Sequence, residues 1–167
     1  PGPAFVFKQP LGHAREVKVA LSGLFGRFVA RAYLERYFHL SISCHLGRKT
    51  ITLDGRRNIE IRRLASGDLP DWVACQPDLS DLTVAEAKGC HDRGGPEKAL
   101  ERAWAQAQRI DVVEQNQALA VRRVAVATRW GSAVGGSPNA HLSVRDPVDG
   151  DHESSDKDAP FIGLLRL

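Results

Sequence analysis

Hydrophobic and polar positions along the chain fall into a helix, several strands, a second helix and a further strand. From about Ser22 to His39 the apolar residues recur at helical spacing, with Phe25, Phe28, Val29, Ala32 and Arg36 on one stripe that only Arg36 makes polar. Arg27, Arg31 and Glu35 lie off that stripe. Glu16–Leu21 alternates and suits either a strand or an early helical turn. Ser41–Leu46 and Thr50–Leu53 carry β-branched residues in alternation, and Asp54-Gly55 signals a hairpin turn before Asn58–Leu64. After the breaker Ser66-Gly67-Asp68-Leu69-Pro70, Trp72–Cys75 reads as a short buried strand, Gln76–Asp81 as a turn, and Leu82–Lys88 as the returning strand. Pro96 and Glu97 suit the first turn of a helix that the pattern extends to about Glu114, with Ala99, Ala103, Gln106, Ala107 and Ile110 on one face. Val121–Thr128 is another strand, and Phe161–Leu167 reads as a last one. Between them, residues 131–158 show little regular pattern, and Asp149–Asp158 is expected to be disordered. The order implies an α/β or α+β sandwich, a mixed sheet with helices on its faces.

A chain of 167 residues suits one domain with a sizeable core. The expected organisation is a single unit over 1–167, with a core at about 22–130, a long acidic loop at 131–160 and a terminal strand at 161–167. No apolar run is long enough to span a bilayer, and Pro1-Gly2-Pro3 does not begin a signal peptide. The sequence contains no Met, which suggests a domain excised from a larger protein. Its three cysteines are an odd number, which argues for a reducing compartment and a cytoplasmic location. Cys44-His45 and Cys90-His91 are adjacent pairs without zinc-ligand spacing. Charge is uneven: residues 1–63 hold twelve Lys/Arg against four Asp/Glu, a net of +8, while the remainder holds eleven against sixteen, a net of −5. A basic half beside an acidic half hints at a polyanionic partner, although on charge alone a solvated surface is the favoured reading.

The text that carries chemistry is Asp71-Trp72-Val73-Ala74-Cys75, a turn, then Thr83-Val84-Ala85-Glu86-Ala87-Lys88-Gly89. Glu86 and Lys88 are two apart on a strand and share a face. A hairpin that pairs Val73 with Val84 also pairs Asp71 with Glu86, with Cβ atoms about 5 Å apart. Two carboxylates that close repel unless a cation sits between them. Mg²⁺ prefers such oxygen ligands and keeps several waters, one of which is a ready nucleophile. Lys88 would orient that water or stabilise charge on a phosphate. The opposite face carries Thr83, Ala85, Ala87 and Gly89, all small, as close packing by a helix requires.

Pro70-Asp71, a hairpin, and Glu86-Ala87-Lys88 together resemble the motif of the PD-(D/E)XK nuclease superfamily, which includes restriction enzymes, recombination nucleases and bacterial toxin domains. The resemblance covers roughly residues 22–130 and implies a restriction-endonuclease-like core with a mixed central sheet in αβββαβ order. It implies that Asp71, Glu86 and the Ala87 backbone carbonyl bind Mg²⁺ or Mn²⁺ and that Lys88 serves the attacking water. A glutamine on the following helix often assists in that family. Gln106 is the choice here and Gln108 the second. Family members often carry Glu on the first helix after Gly. Here Gly26-Arg27 stands in that place, and Glu35 is a poor substitute by spacing. Pro77-Asp78 is a second Pro-Asp before the same glutamate, but Asp78 would need a first strand containing Pro77 and no β-branched residue.

The expected function is metal-dependent hydrolysis of nucleic acid, with DNA favoured over RNA, by a metal-activated water. The alternative is a catalytically degenerate module of the same fold that binds nucleic acid or protein. The resemblance leaves room for a homodimer, for flanking domains, and for an inhibitor protein if the chain is a toxin acting in the cytoplasm of a target cell. Among other candidates, His91, Arg93, Lys98 and Arg102 lie near the motif and suit phosphate contacts or a solvated surface. Trp104 and Trp130 suit base stacking or packing.

Overall fold

The computed structural model describes residues 6–7, 15–55, 57–91, 96–132 and 140–146. In chain order these form β1 (Val6–Phe7), α1 (Arg15–Phe38), β2 (Ile42–His45), β3 (Thr50–Thr52), β4 (Asn58–Arg63), β5 (Trp72–Cys75), β6 (Thr83–Cys90), α2 (Glu97–Ala107), β7 (Ile110–Glu114), β8 (Gln117–Ala118), β9 (Arg122–Arg129), β10 (Gly131–Ser132) and β11 (His141–Arg145). The fold is mixed α/β. A five-stranded sheet has the order β11-β9-β6-β5-β2, and a four-stranded sheet has the order β3-β4-β7-β8. β1 and β10 form a separate parallel pair.

β6 is the centre of the larger sheet. It pairs antiparallel with β5 in the register Trp72↔Ala85, Val73↔Val84, Ala74↔Thr83. On its other side it runs parallel to β9 from Thr83↔Arg122 to Cys90↔Arg129. A strand buried on both faces reads as a continuous apolar run, and β6 is interrupted chiefly by Glu86 and Lys88. The two faces of this sheet have different partners. Val73, Cys75 and Val84 pack against Ile51, Ile59, Ile61 and Val112 of the smaller sheet and Ala107 at the end of α2. Ala74, Ala85, Ala87, Val124 and Val126 pack against Ala30 and Leu34 of α1.

α1 begins earlier than the periodicity suggests, so Glu16–Leu21 is helical. Its buried residues are Ser22, Gly26, Ala30 and Leu34, and Phe28, placed on the core stripe by the sequence pattern, is 59% exposed. The reason is proximity. A Cβ built on Gly26 would lie 2.8 Å from Gly89 Cα, and one built on Gly89 would lie 1.8 Å from the Ser22 carbonyl oxygen. Helix and strand backbones touch there, so the contact face is read by small size rather than by hydrophobicity. The helix stops where His39 turns left-handed, at φ 58°, and the Leu40 N–H returns to the Leu34 carbonyl.

α2 ends at Ala107, not near Glu114. Ile110, Val112 and Val113 are β-branched and pair as β7 with β4, through Ile61↔Val112. Gln115 and Asn116, both with positive φ, then make the two-residue turn into β8. The region expected to be irregular after residue 131 contributes β11, an antiparallel edge on β9. The anticipated strand Phe161–Leu167 and the acidic stretch Asp149–Asp158 lie outside the described residues. No described helix is long and apolar enough to cross a membrane.

Candidate active site

The β5–β6 hairpin brings Asp71 opposite Glu86. The pairing Trp72↔Ala85 sets this register, and the turn at Gln76–Asp81 keeps it. Gln76 N–H donates to the Ser80 carbonyl, and Leu79 and Asp81 adopt positive φ. The two acids then bond reciprocally across the strand ends. Asp71 N–H donates to Glu86 Oε2 at 2.8 Å, and Ala87 N–H donates to Asp71 Oδ2 at 3.0 Å. Asp71 is 8% exposed and Glu86 only 1%. Burying a carboxylate disfavours its charged form. Desolvation accordingly pushes Glu86 up from 4.5 to about 7, with the Asp71 charge adding to the rise and Lys88 opposing it.

Lys88 sits two residues on, on the same face as Glu86. Its Nζ donates to Glu86 Oε1 and, at 2.8 Å, to Gln106 Oε1. Gln106 is itself fixed from behind, since its Nε2 donates to the Leu69 carbonyl at 2.6 Å. It lies in the buried stripe of α2 with Ala99, Ala103 and Ala107. Asp71, Glu86, Lys88 and Gln106, contributed by β6, α2 and the approach to β5, are therefore one hydrogen-bonded group. A lysine with two acceptors has one of its three donors left.

The other sequence candidates lie elsewhere. Asp78 is exposed, and its Oδ1 accepts from the Ser80 N–H and hydroxyl; these bonds hold its carboxyl below the usual range. Gln108 caps the end of α2, and Glu35 is exposed on α1. Trp130 is buried, with its indole N–H on the Ser22 carbonyl and its ring edge-on to Phe25. Trp104 carries the Arg145 guanidinium 4.6 Å from its ring centroid. His91 Nδ1 is 3.2 Å from the Ser22 hydroxyl. Lys98 and Arg102 stand exposed on α2, and Arg93 is outside the described residues. Cys44 is exposed; Cys75 and Cys90 are buried, free thiols.

One member of the group was not anticipated as such. Arg27 Nε donates to Asp71 Oδ1 at 2.9 Å, with the arginine side chain half exposed. The sequence marks its position only as the residue after Gly26. The helix approach at Gly26 and Gly89 delivers it to the carboxylate. Every oxygen of the two acids thus accepts a hydrogen bond from the protein.

Comparison with family models, with curated proteins and with solved structures finds no match. Among the described residues, no three His, Cys, Asp or Glu side chains converge as a cage for a metal ion. The two carboxylates and a neighbouring backbone carbonyl suit a hard divalent cation that keeps most of its own water, as Mg²⁺ does, and do not suit zinc.

Proposed function

We propose that the chain is a metal-dependent nuclease with a restriction-endonuclease-like core, acting on DNA, and that Asp71, Glu86, Lys88 and Gln106 form its reaction centre. One observation carries the reading: the side chains of a PD-(D/E)XK-like motif meet in a single hydrogen-bonded group at the end of the β5–β6 hairpin. In chain order α1 precedes five strands, of which β5 and β6 carry the motif, and α2, β7, β8 and β9 follow; the αβββαβ core of the reading is a subset of these elements.

Asp71, Glu86 and the Ala87 carbonyl would hold Mg²⁺ or Mn²⁺. The ion, when bound, supplies Lewis-acid neutralisation of phosphate charge and makes water more acidic. Glu86 must release its proton to serve as a ligand, which ties metal affinity to pH near 7. Lys88, held by Gln106, presents its remaining donor to the attacking water or to a non-bridging phosphate oxygen. Attack of water on phosphorus would break the bond to the sugar oxygen; the water gives up one proton to solvent and the leaving sugar oxygen takes one up from solvent, so the elements of water are added across the P–O bond. Plasmid nicking with Mg²⁺ or Mn²⁺, with and without EDTA, tests the reading. The wild type should nick only with metal, and Glu86→Ala and Lys88→Ala should not nick at all. Activity that survives either substitution removes that residue from the mechanism.

A second reading, a non-catalytic binding module of the same fold, draws on a specific observation. Arg27 occupies Asp71 Oδ1 as an internal counter-ion. Wild type that binds DNA without cleaving it in any divalent metal would favour that reading.

A further inference from the structure

We infer that the cleft between the β2–β3 loop and β4 is the channel through which a nucleic-acid strand reaches the centre, gripping phosphates and not bases. The inference deepens the proposal above and rests on its nucleic-acid substrate, though not on catalysis.

The cleft has a volume of about 580 Å³, within the range of roughly 300–1,000 Å³ typical of ligand sites. Arg48, Lys49, Arg62 and Arg63 line it, against a single acid, Glu60. Arg48, Lys49 and Arg62 are exposed, and among the described residues none of them is in an ion pair. Arg63 is tethered through Nη1 to the Gly67 carbonyl. Four cations clustered this way repel one another unless an anion joins them.

Two residues place the cleft next to the centre. Leu69 lines it, and the carbonyl of Leu69 holds Gln106, the partner of Lys88. Gly47 also lines it, and the preceding residue, Leu46, donates its N–H to the carbonyl of Asp71. The β4 backbone holds the loop against the strand, because the Ile61 N–H donates to the Lys49 carbonyl and so sets Lys49 opposite Ile61, the residue before Arg62.

The lining also says how a strand is held. It contains no aromatic residue on which a base could stack and no Asn or Gln to read adenine, and among the described residues no hydrogen bond fixes the side chain of Arg48, Lys49 or Arg62, so these cations meet phosphate as loose charges and not as the rigid fork that reads guanine. Contacts to phosphate position a strand without reading its sequence. Binding should therefore be indifferent to sequence and steeply salt-dependent.

The test is fluorescence anisotropy of a short labelled single-stranded DNA with the full chain in EDTA, titrated across a range of KCl concentrations. Each lost phosphate contact flattens the slope of log K against log salt by about 0.7 for a single strand. Lys49→Gln with Arg62→Gln should flatten it by about 1.4 and weaken binding about 25-fold at 0.1 M salt. Arg36→Gln, an exposed arginine on α1 outside the cleft, should change neither. A double variant with wild-type affinity and slope overturns the inference, as does a wild type that binds no DNA. If the double variant binds like wild type while the wild type nicks plasmid, only the cleft assignment fails. If binding falls as stated and no metal supports cleavage, the cleft stands and the catalytic reading fails.

Discussion

Replacing Glu86 by Gln should change how stability depends on pH, by an amount the site itself sets. In the folded chain the Glu86 carboxyl keeps its proton up to about pH 7, because burial outweighs the Lys88 bond; in the unfolded chain it ionises near 4.5. Below 4.5 both states are protonated, and the residue adds no pH dependence. Between 4.5 and 7 only the unfolded state gains by ionising, so stability is lost as pH rises. Above 7 both states are ionised and the loss is constant. Each pH unit across that interval is worth 1.36 kcal/mol at most, so the whole loss is about 3 kcal/mol. Gln cannot ionise, yet its amide oxygen can still accept the Asp71 N–H. The stability of the wild type minus that of Glu86→Gln should therefore fall by about 3 kcal/mol between pH 4.5 and 7 and be flat on either side. Urea unfolding in EDTA, followed by the fluorescence of the buried Trp72 and Trp130, measures both curves. Subtracting one from the other cancels the remaining ionisable groups. A difference that stays flat throughout would mean that Glu86 ionises in the folded chain near 4.5, as it does unfolded. The Lys88 and Asp71 N–H bonds would then offset burial in full, and the reasoning would be wrong.

Gly89→Ala should cost about 3 kcal/mol or more, because its Cβ would meet a backbone oxygen that cannot yield, whereas Gly23→Ala, with open space around it in α1, should be neutral or stabilise by up to about 1 kcal/mol; thermal unfolding reads both. Arg27→Ala should tighten Mn²⁺ binding about tenfold, since it removes a half-exposed cation from Asp71, and calorimetry showing unchanged or weaker binding would contradict the counter-ion role. Asp71→Asn should abolish Mn²⁺ binding in the same calorimeter while Asp78→Asn leaves it intact, and the reverse order would move the site to the turn.

The hairpin was legible in the sequence because its determinants are local. Trp72–Cys75 is a short apolar run, the strand from Thr83 puts Glu86 and Lys88 on one face and small residues on the other, and the two are joined by a turn rich in Pro, Ser and Asp, which allows few registers. Gln106 was legible for the same kind of reason: it shares a helical stripe with Ala103. The small residues Ala85, Ala87 and Gly89 likewise announced a closely packed helix. The buried face of α1 was not legible. Phe25 and Phe28 dominate any count of hydrophobicity, yet the contact is made by Gly26 against Gly89, a pairing across 63 residues that no local pattern contains. The Arg27–Asp71 bond is hidden for the same reason, since it follows from that contact. The end of α2 was misread because Ile110 continues the helical stripe while equally fitting the alternation of β7, and only pairing with β4 decides between them.

The parallel pairing of β6 with β9 has a consequence for the order in which the chain acquires its chemistry. Antiparallel neighbours meet through a short turn, but parallel ones need a crossover that returns the chain to the same end of the sheet. Here that crossover is the segment between Cys90 and Arg122, and it contains Gln106. During synthesis, Asp71 and Glu86 can be brought face to face as soon as their hairpin has emerged. Lys88 already stands beside Glu86 on β6, but its second acceptor, Gln106, is not in place until the crossover has closed. On the proposed reading, the nascent chain therefore carries the two acids and an unbraced lysine, and the four-residue group is complete only after α2 has been made and has docked.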